Sequence, residues 1–176
     1  MKFKIKILFV LVLVVSCKSD DDATSTTSNN ESTRIDLVTG MYARASEFGP
    51  SIVLGNPNIL DDKIFVYPNP AIGSVVVRSN AEAFSDVWLV KANPLKKFQD
   101  EDFSKIFNTS LYSFSEISSQ AELSFLDIAG TNLSINLENL SSGYYKVFAR
   151  INDEIFWTNI YVGNDKDIDT LINFWN

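Results

Sequence analysis

Few residues of this chain could do chemistry, and their types narrow it sharply. The 176 residues include no histidine and one cysteine, Cys17. Without imidazole there is no Ser-His-Asp or Cys-His nucleophile pair, no histidine zinc site and no imidazole general base. A single thiol excludes an intrachain disulfide. Carboxylates remain. Asn164-Asp165-Lys166-Asp167-Ile168-Asp169 alternates acids as the opening of a calcium loop does, but Thr170 stands where the turn glycine belongs and Asn176 where the bidentate glutamate belongs. Acids at a helix N-terminus, favoured by the macrodipole, account for the pattern. No metal or other cofactor is expected. Glu138, Asp153 and Glu154 fall in expected turns and do not converge as the paired acids of glycoside hydrolysis must, so catalysis is not expected.

Aromatic side chains are the other resource. Successive residues of a strand face opposite ways, so one of each pair such as Phe156 and Trp157 lies outside the core or beneath a covering segment. Tyr144, Phe148 and Trp157 are the candidate platform on which a sugar ring could stack.

These residues need elements to position them, and the chain divides readily. Residues 1–16 have the form of a secretion signal: Lys2, Lys4 and Lys6 precede a nine-residue apolar run, Ile7 to Val15. As a helix that run spans roughly 14 Å, about half a hydrocarbon core, so it suits a signal peptide rather than a permanent span. Val14-Val15-Ser16-Cys17 resembles a bacterial lipobox, which implies diacylglyceryl attachment to the Cys17 sulfur and cleavage before it. The mature chain would begin at Cys17, and loss of the three signal lysines takes the net charge from −7 to −10. Buried acyl methylenes contribute about 0.8 kcal/mol each, enough for a stable anchor with two or more chains. Lys18-Ser19-Asp20-Asp21-Asp22 resembles the surface-export signal of Bacteroidetes lipoproteins, which implies the outer face of the outer membrane. With 15 basic against 22 acidic residues the chain has no positive field for nucleic acid. The expected partners are the membrane, through the anchor, and a protein or glycan ligand.

Residues 17–34 form the lipidated cysteine and its tether. From 18 onward they contain one apolar residue, Ala23, and cannot offset chain entropy by burial. Seventeen flexible residues reach roughly 23 Å. The folded domain is expected over 35–176. Alternation and β-branched residues predict strands near 35–39, 41–45, 51–54, 63–67, 74–78, 85–91, 133–137, 144–151 and 155–162. Asn152-Asp153 is a candidate hairpin turn. Phe103, Ile106 and Phe107 sit at helical spacing, and 98–128 reads as a helical insertion. Ile168, Leu171, Ile172 and Trp175 predict a C-terminal amphipathic helix. Together these give an all-β fold, an antiparallel immunoglobulin-like β-sandwich with a short helical insertion and a C-terminal helix.

Two motifs add a resemblance. Val66-Tyr67-Pro68-Asn69-Pro70-Ala71 precedes a β-branched strand, and Leu140-Ser141-Ser142-Gly143-Tyr144-Tyr145 opens the final hairpin. This is similar to the C-terminal sorting domain of type IX (Por) secretion cargo and covers residues 64–162. The resemblance implies a seven-stranded sandwich. The chain adds its own anchor signal, the insertion and 14 residues past Val162. It is therefore read as a related sandwich standing alone: a non-catalytic, lipid-anchored envelope protein presenting an interaction or structural module. A carbohydrate-binding surface lipoprotein and type IX cargo are the alternatives.

Overall fold

The computed structural model describes residues 31–80, 82–163 and 168–176. Cys17 and the acidic segment Lys18 to Asp22 lie outside the described residues, as does most of the Asn164 to Asp169 motif.

Alternation builds the central hairpin. β9 (Gly143–Ile151) and β10 (Glu154–Val162) pair antiparallel along their full lengths. Between them Asn152 and Asp153 take φ of +49° and +66°, the positive values that a two-residue turn needs to match strand twist. β6 (Asp86–Pro94) flanks β9 on its other side. The far edge of β6 meets β7 (Ala121–Phe125) antiparallel, and meets β1 (Leu37–Val38) parallel at Asn93 and Pro94. A second antiparallel group comprises β4 (Ile64–Ile72), β5 (Ser74–Ser79) and β8 (Asn132–Asn136). β2 (Gly40–Arg44) and β3 (Ser51–Gly55) form a hairpin that touches β4 through Arg44 and Asn69. Pairing of Val162 with Ala71 joins β10 to β4, so ten strands make one curled sheet. The fold is mainly β. Its helices among the described residues are short: a 3-10 turn at Phe103–Lys105, α1 (Phe114–Gln120) and α2 (Ile168–Trp175). No described helix is long and apolar enough to cross a membrane.

Both faces of the β6-β9-β10 layer are buried. Tyr145, Val147, Ala149 and Ile151 face a core shared with Val66, Val75, Val77 and Ile135 of the second group. The opposite face carries Trp88, Val90, Phe148 and Trp157, and is covered by Phe103, Phe107, Tyr112 and Ile117 from the segment between β6 and β7. Further along this face Ala92 and Tyr144 lie beneath Met41 and Leu54 of the β2–β3 hairpin and beneath Leu171 and Trp175 of α2.

Four expectations are corrected. The sheet is not wholly antiparallel: β1 lies far from β6 in sequence, so no short turn dictates its direction. The insertion is not helical throughout, because Ala121–Phe125 extends the sheet beside β6. Residues 31–34 belong to the body rather than the tether, with Ser32 buried, Glu31 paired to Lys97 and Arg34 to Asp36. β4 continues through Pro68 and Pro70, changing partners there instead of ending.

Candidate ligand cleft

The irregularity in β4 opens a concavity beside the strand. Residues 64–67 pair with β5, Asn69 meets β2, and Ala71 meets β10. Pro68 and Pro70 have no N–H to offer either neighbour, so the ladder breaks around Asn69. The buried Asn69 side chain fills the break. Its Nδ2 donates to the Tyr42 carbonyl at 2.6 Å and to the Asn159 carbonyl at 3.1 Å, and its Oδ1 accepts the Tyr161 N–H at 3.0 Å. One amide thus substitutes for backbone pairing between β4, β2 and β10.

On the N-terminal side of Asn69, β4 turns towards β5 and leaves β10, opening a slit of about 160 Å³ between the two strands. Thr158, Asn159, Ile64 and Val66 line it, with Tyr42, Arg44, Asp62 and Phe65 around them. Asn159 is 1% exposed. Its Nδ2 donates to the Gly40 carbonyl and to Asn58 Oδ1, both at 2.8 Å, which fixes the orientation of the amide. Asn159 Oδ1 is then left with no hydrogen-bond partner among the described residues. A buried acceptor in that state costs free energy unless a donor reaches it. The Arg44 guanidinium lies 5.0 Å from the Phe65 ring centroid and donates to the Glu47 carbonyl at 3.3 Å. The exposed Asp62 forms no ion pair with Arg44 among the described residues, so both charges remain available to a ligand. On the other side of the Pro68-Asn69-Pro70 step lies an apolar groove of about 380 Å³ between Ile52, Pro50 and Ile168.

The sequence-predicted platform does not form. Tyr144, Phe148 and Trp157 are 8%, 0% and 1% exposed. Alternation places the three side chains on one face as expected, but other parts of the chain cover that face. Tyr112 meets Phe148 and Trp157 edge-on at 5.4 and 5.0 Å, and Phe107 meets Trp157 at 5.6 Å. Trp175 closes over Tyr144 at 5.7 Å. Burial pushes the Tyr144 hydroxyl up to about 12. Trp157 Nε1 donates to the Asn58 carbonyl, as a wall residue of a core would. The three aromatics are core, and no sugar can stack on them in this fold.

Lys146 shares this covered face. It stands between Val90 of β6 and Asn159 of β10, fully buried, with Nζ 5.6 Å from the Tyr112 ring centroid and without a hydrogen-bond partner among the described residues. Burial pushes its amine down to about 7, opposed by the Asp36 carboxylate. Lys146 lines neither the slit nor the apolar groove. Among the described residues no three Cys, Asp or Glu gather as a metal set. No protein-family model, curated protein or solved structure matches the chain.

The slit residues that sequence reasoning missed are Asn69, Thr158 and Asn159. The two prolines around Asn69 signalled the break in the ladder. Nothing local signalled that β10 would border it.

Proposed function

We propose that the chain is a non-catalytic lipoprotein of a bacterial cell envelope, anchored through Cys17, whose body is an immunoglobulin-like β-sandwich presenting the β4–β10 slit as a recognition site. The observation that carries this reading is the place of the only thiol, directly after an apolar run of signal length and a small residue. Lys18, Ser19, Asp20, Asp21 and Asp22 support display on the outer face of the outer membrane. The lack of histidine, and the commitment of the lone thiol to lipid, support binding rather than catalysis. The concavity where β4 and β10 part, with Tyr42, Arg44 and Asp62 around Thr158, Ile64 and Val66, supports the slit as the place where binding occurs. The Tyr67 to Ala71 motif has a structural task of its own in moving β4 between partners, so that motif alone does not favour the type IX cargo reading.

The test is mass spectrometry of the protein extracted from its native membrane, alongside Cys17→Ala. The expected result is an N-terminal peptide beginning at acylated Cys17, with the variant unacylated and lost from the membrane fraction. An unmodified thiol with residues 1–16 still attached would refute the anchor.

A further inference from the structure

We propose that the tip of the β2–β3 hairpin docks on the bilayer that holds the anchor, seating Phe48 and its apolar neighbours among lipid headgroups and the first acyl carbons. This rests on reading Cys17 as lipidated, and it adds how the body meets the membrane.

Exposure comes first. Eight large apolar side chains are exposed among the described residues, and four of them, Tyr42, Phe48, Ile52 and Val53, belong to this one hairpin. Phe48, in the turn, is 91% exposed. Ile52 and Val53 are 52% and 55% exposed on opposite faces of β3, so neither face of this strand is covered there. On the Ile52 face the apolar surface continues into the groove with Pro50, Pro68, Pro70 and Ile168. A contiguous apolar surface of this kind marks an interaction site.

The polar groups of the turn come second. A loop enters an interface cheaply only when its polar groups already have partners. The Gly49 N–H donates to the Ser46 carbonyl at 3.2 Å, and Arg44 donates to the Glu47 carbonyl at 3.3 Å. The Glu47 carboxylate is paired with Arg78 and accepts the Tyr67 hydroxyl at 3.2 Å. Pro50 has no N–H to satisfy. Phe48 is thus the apolar point of a turn whose neighbouring polar groups are engaged within the protein. The outer edge of β3 limits the depth. It has no strand beside it among the described residues, so its backbone groups need water or headgroups and stay out of hydrocarbon. Arg44, in no ion pair among the described residues, stands near the same turn with a charge to offer lipid phosphates.

Reach comes third and selects the occupant. Fourteen residues, 17–30, separate the anchor from Glu31, the first described residue. Fully extended they cover about 50 Å, more than the width of about 40 Å of a domain this size. The bilayer therefore stays within reach of the hairpin. Anchoring makes the contact intramolecular, so a single aromatic tip suffices where a free protein would not stay bound. A soluble partner has no such advantage.

The experiment reconstitutes the acylated protein, purified from its native membrane, in phosphatidylcholine vesicles with and without bromine on the acyl chains. Phe48→Trp places a reporter at the tip. The native Trp88, Trp157 and Trp175 are buried and supply a constant background. Ile72→Trp is the reference reporter, since Arg44 pairs with Asn69 and the turn runs on towards Phe65, away from the exposed Ile72. The Phe48→Trp emission is expected to shift blue on vesicles and to be quenched by the brominated lipid, and the Ile72→Trp emission to do neither. Adding Ile52→Asp, an exposed charge beside the tip, is expected to lower the quenched fraction about threefold. Circular dichroism establishes that the variants fold, and the two reporters decide alone if Ile52→Asp does not. Protein that floats with the vesicles while Phe48→Trp stays unquenched overturns this inference and leaves the anchor standing. A blue shift without bromine quenching means that a protein surface covers the tip, and equal quenching of both reporters means unoriented adsorption; each overturns it. A chain without acyl groups that washes off the vesicles refutes the anchor and this inference together.

Discussion

Asn69 and Asn159 lie ninety positions apart, yet the Asn69 side chain donates to the Asn159 carbonyl at 3.1 Å. That contact marks where β4 leaves β10, and where its pairing with β5 is interrupted between Tyr67 and Ile72. Both residues line the slit that opens there. The strand break and the slit are therefore one consequence of the sequence Pro68-Asn69-Pro70.

Removing the wedge tests its structural half. Asn69→Ala leaves the Tyr161 N–H and the Tyr42 and Asn159 carbonyls without their side-chain partner. Buried backbone groups left unpaired cost about 1–3 kcal/mol each when water cannot reach them. We expect a loss of about 3 kcal/mol in urea unfolding, with faster amide hydrogen exchange at Tyr161. A loss below about 0.5 kcal/mol, the level of an ordinary surface substitution, would mean that Asn69 is not a structural wedge.

Lys146 gives a pH dependence whose sign is fixed. Its folded-state pKa of about 7 lies below the ordinary lysine value of 10.5, chiefly through burial. Between these values the unfolded chain binds more protons than the folded one, so this group makes stability rise as pH rises from about 7 towards 10.5. The groups that face it are Tyr112 of the insertion, whose own hydroxyl burial keeps neutral, Asp36 beside β1, and the uncharged Asn159 of β10. Lys146→Met removes the titration. The variant is expected to be more stable at pH 7 by about 2 kcal/mol, the order of a buried unpaired polar group, with the difference shrinking towards pH 10. Urea unfolding of both proteins at pH 7, 8.5 and 10 measures it, and a difference independent of pH would contradict the assignment.

The legible part of this molecule is the part set by local pattern. β5 and the β9–β10 hairpin follow from β-branched runs and strict alternation, and the turn at Asn152-Asp153 follows from residues that tolerate positive φ. The two prolines announced a ladder break. Alternation also placed Tyr144, Lys146 and Phe148 together on one face. It could not say what lies over that face, because the cover comes from residues 98–120 and from α2, whose docking is a tertiary event. A lysine in such a row reads as solvent-facing until the large apolar residues flanking it are seen to be covered. The slit is less legible still. It exists only because β10, far along the chain, runs beside β4 at one end and not at the other.

The cover itself can be opened. Tyr112 sits edge-on to both Phe148 and Trp157, and its hydroxyl donates to the Arg34 carbonyl at 3.4 Å. Tyr112→Ala removes a buried ring that joins the insertion, residues 31–34 and the sheet. We expect about 3 kcal/mol of destabilisation, typical of aromatic truncation in a core, with red-shifted tryptophan emission as water reaches Trp157. Unchanged emission would show that Trp157 is shielded without this ring.

The C-terminal helix is held by a fit between Gly55 and Trp175. Gly55 has φ of +64°, and a Cβ there would lie 2.6 Å from Trp175 Cε3 and 2.6 Å from the Thr39 carbonyl oxygen. Gly55→Ala is thus both strained and obstructed, with an expected cost of about 2 kcal/mol. Trp175→Ala loses the packing on Tyr144 and Leu54, at about 3 kcal/mol. The two costs should not add. With the indole gone, half of the alanine's obstruction disappears and only the strain and the Thr39 contact remain. The double variant is therefore expected to be more stable than the sum of the single losses by about 1 kcal/mol, within the range seen for residues in contact. Strict additivity in urea unfolding would show that α2 does not rest on Gly55, and that the cover over Tyr144 is held in some other way.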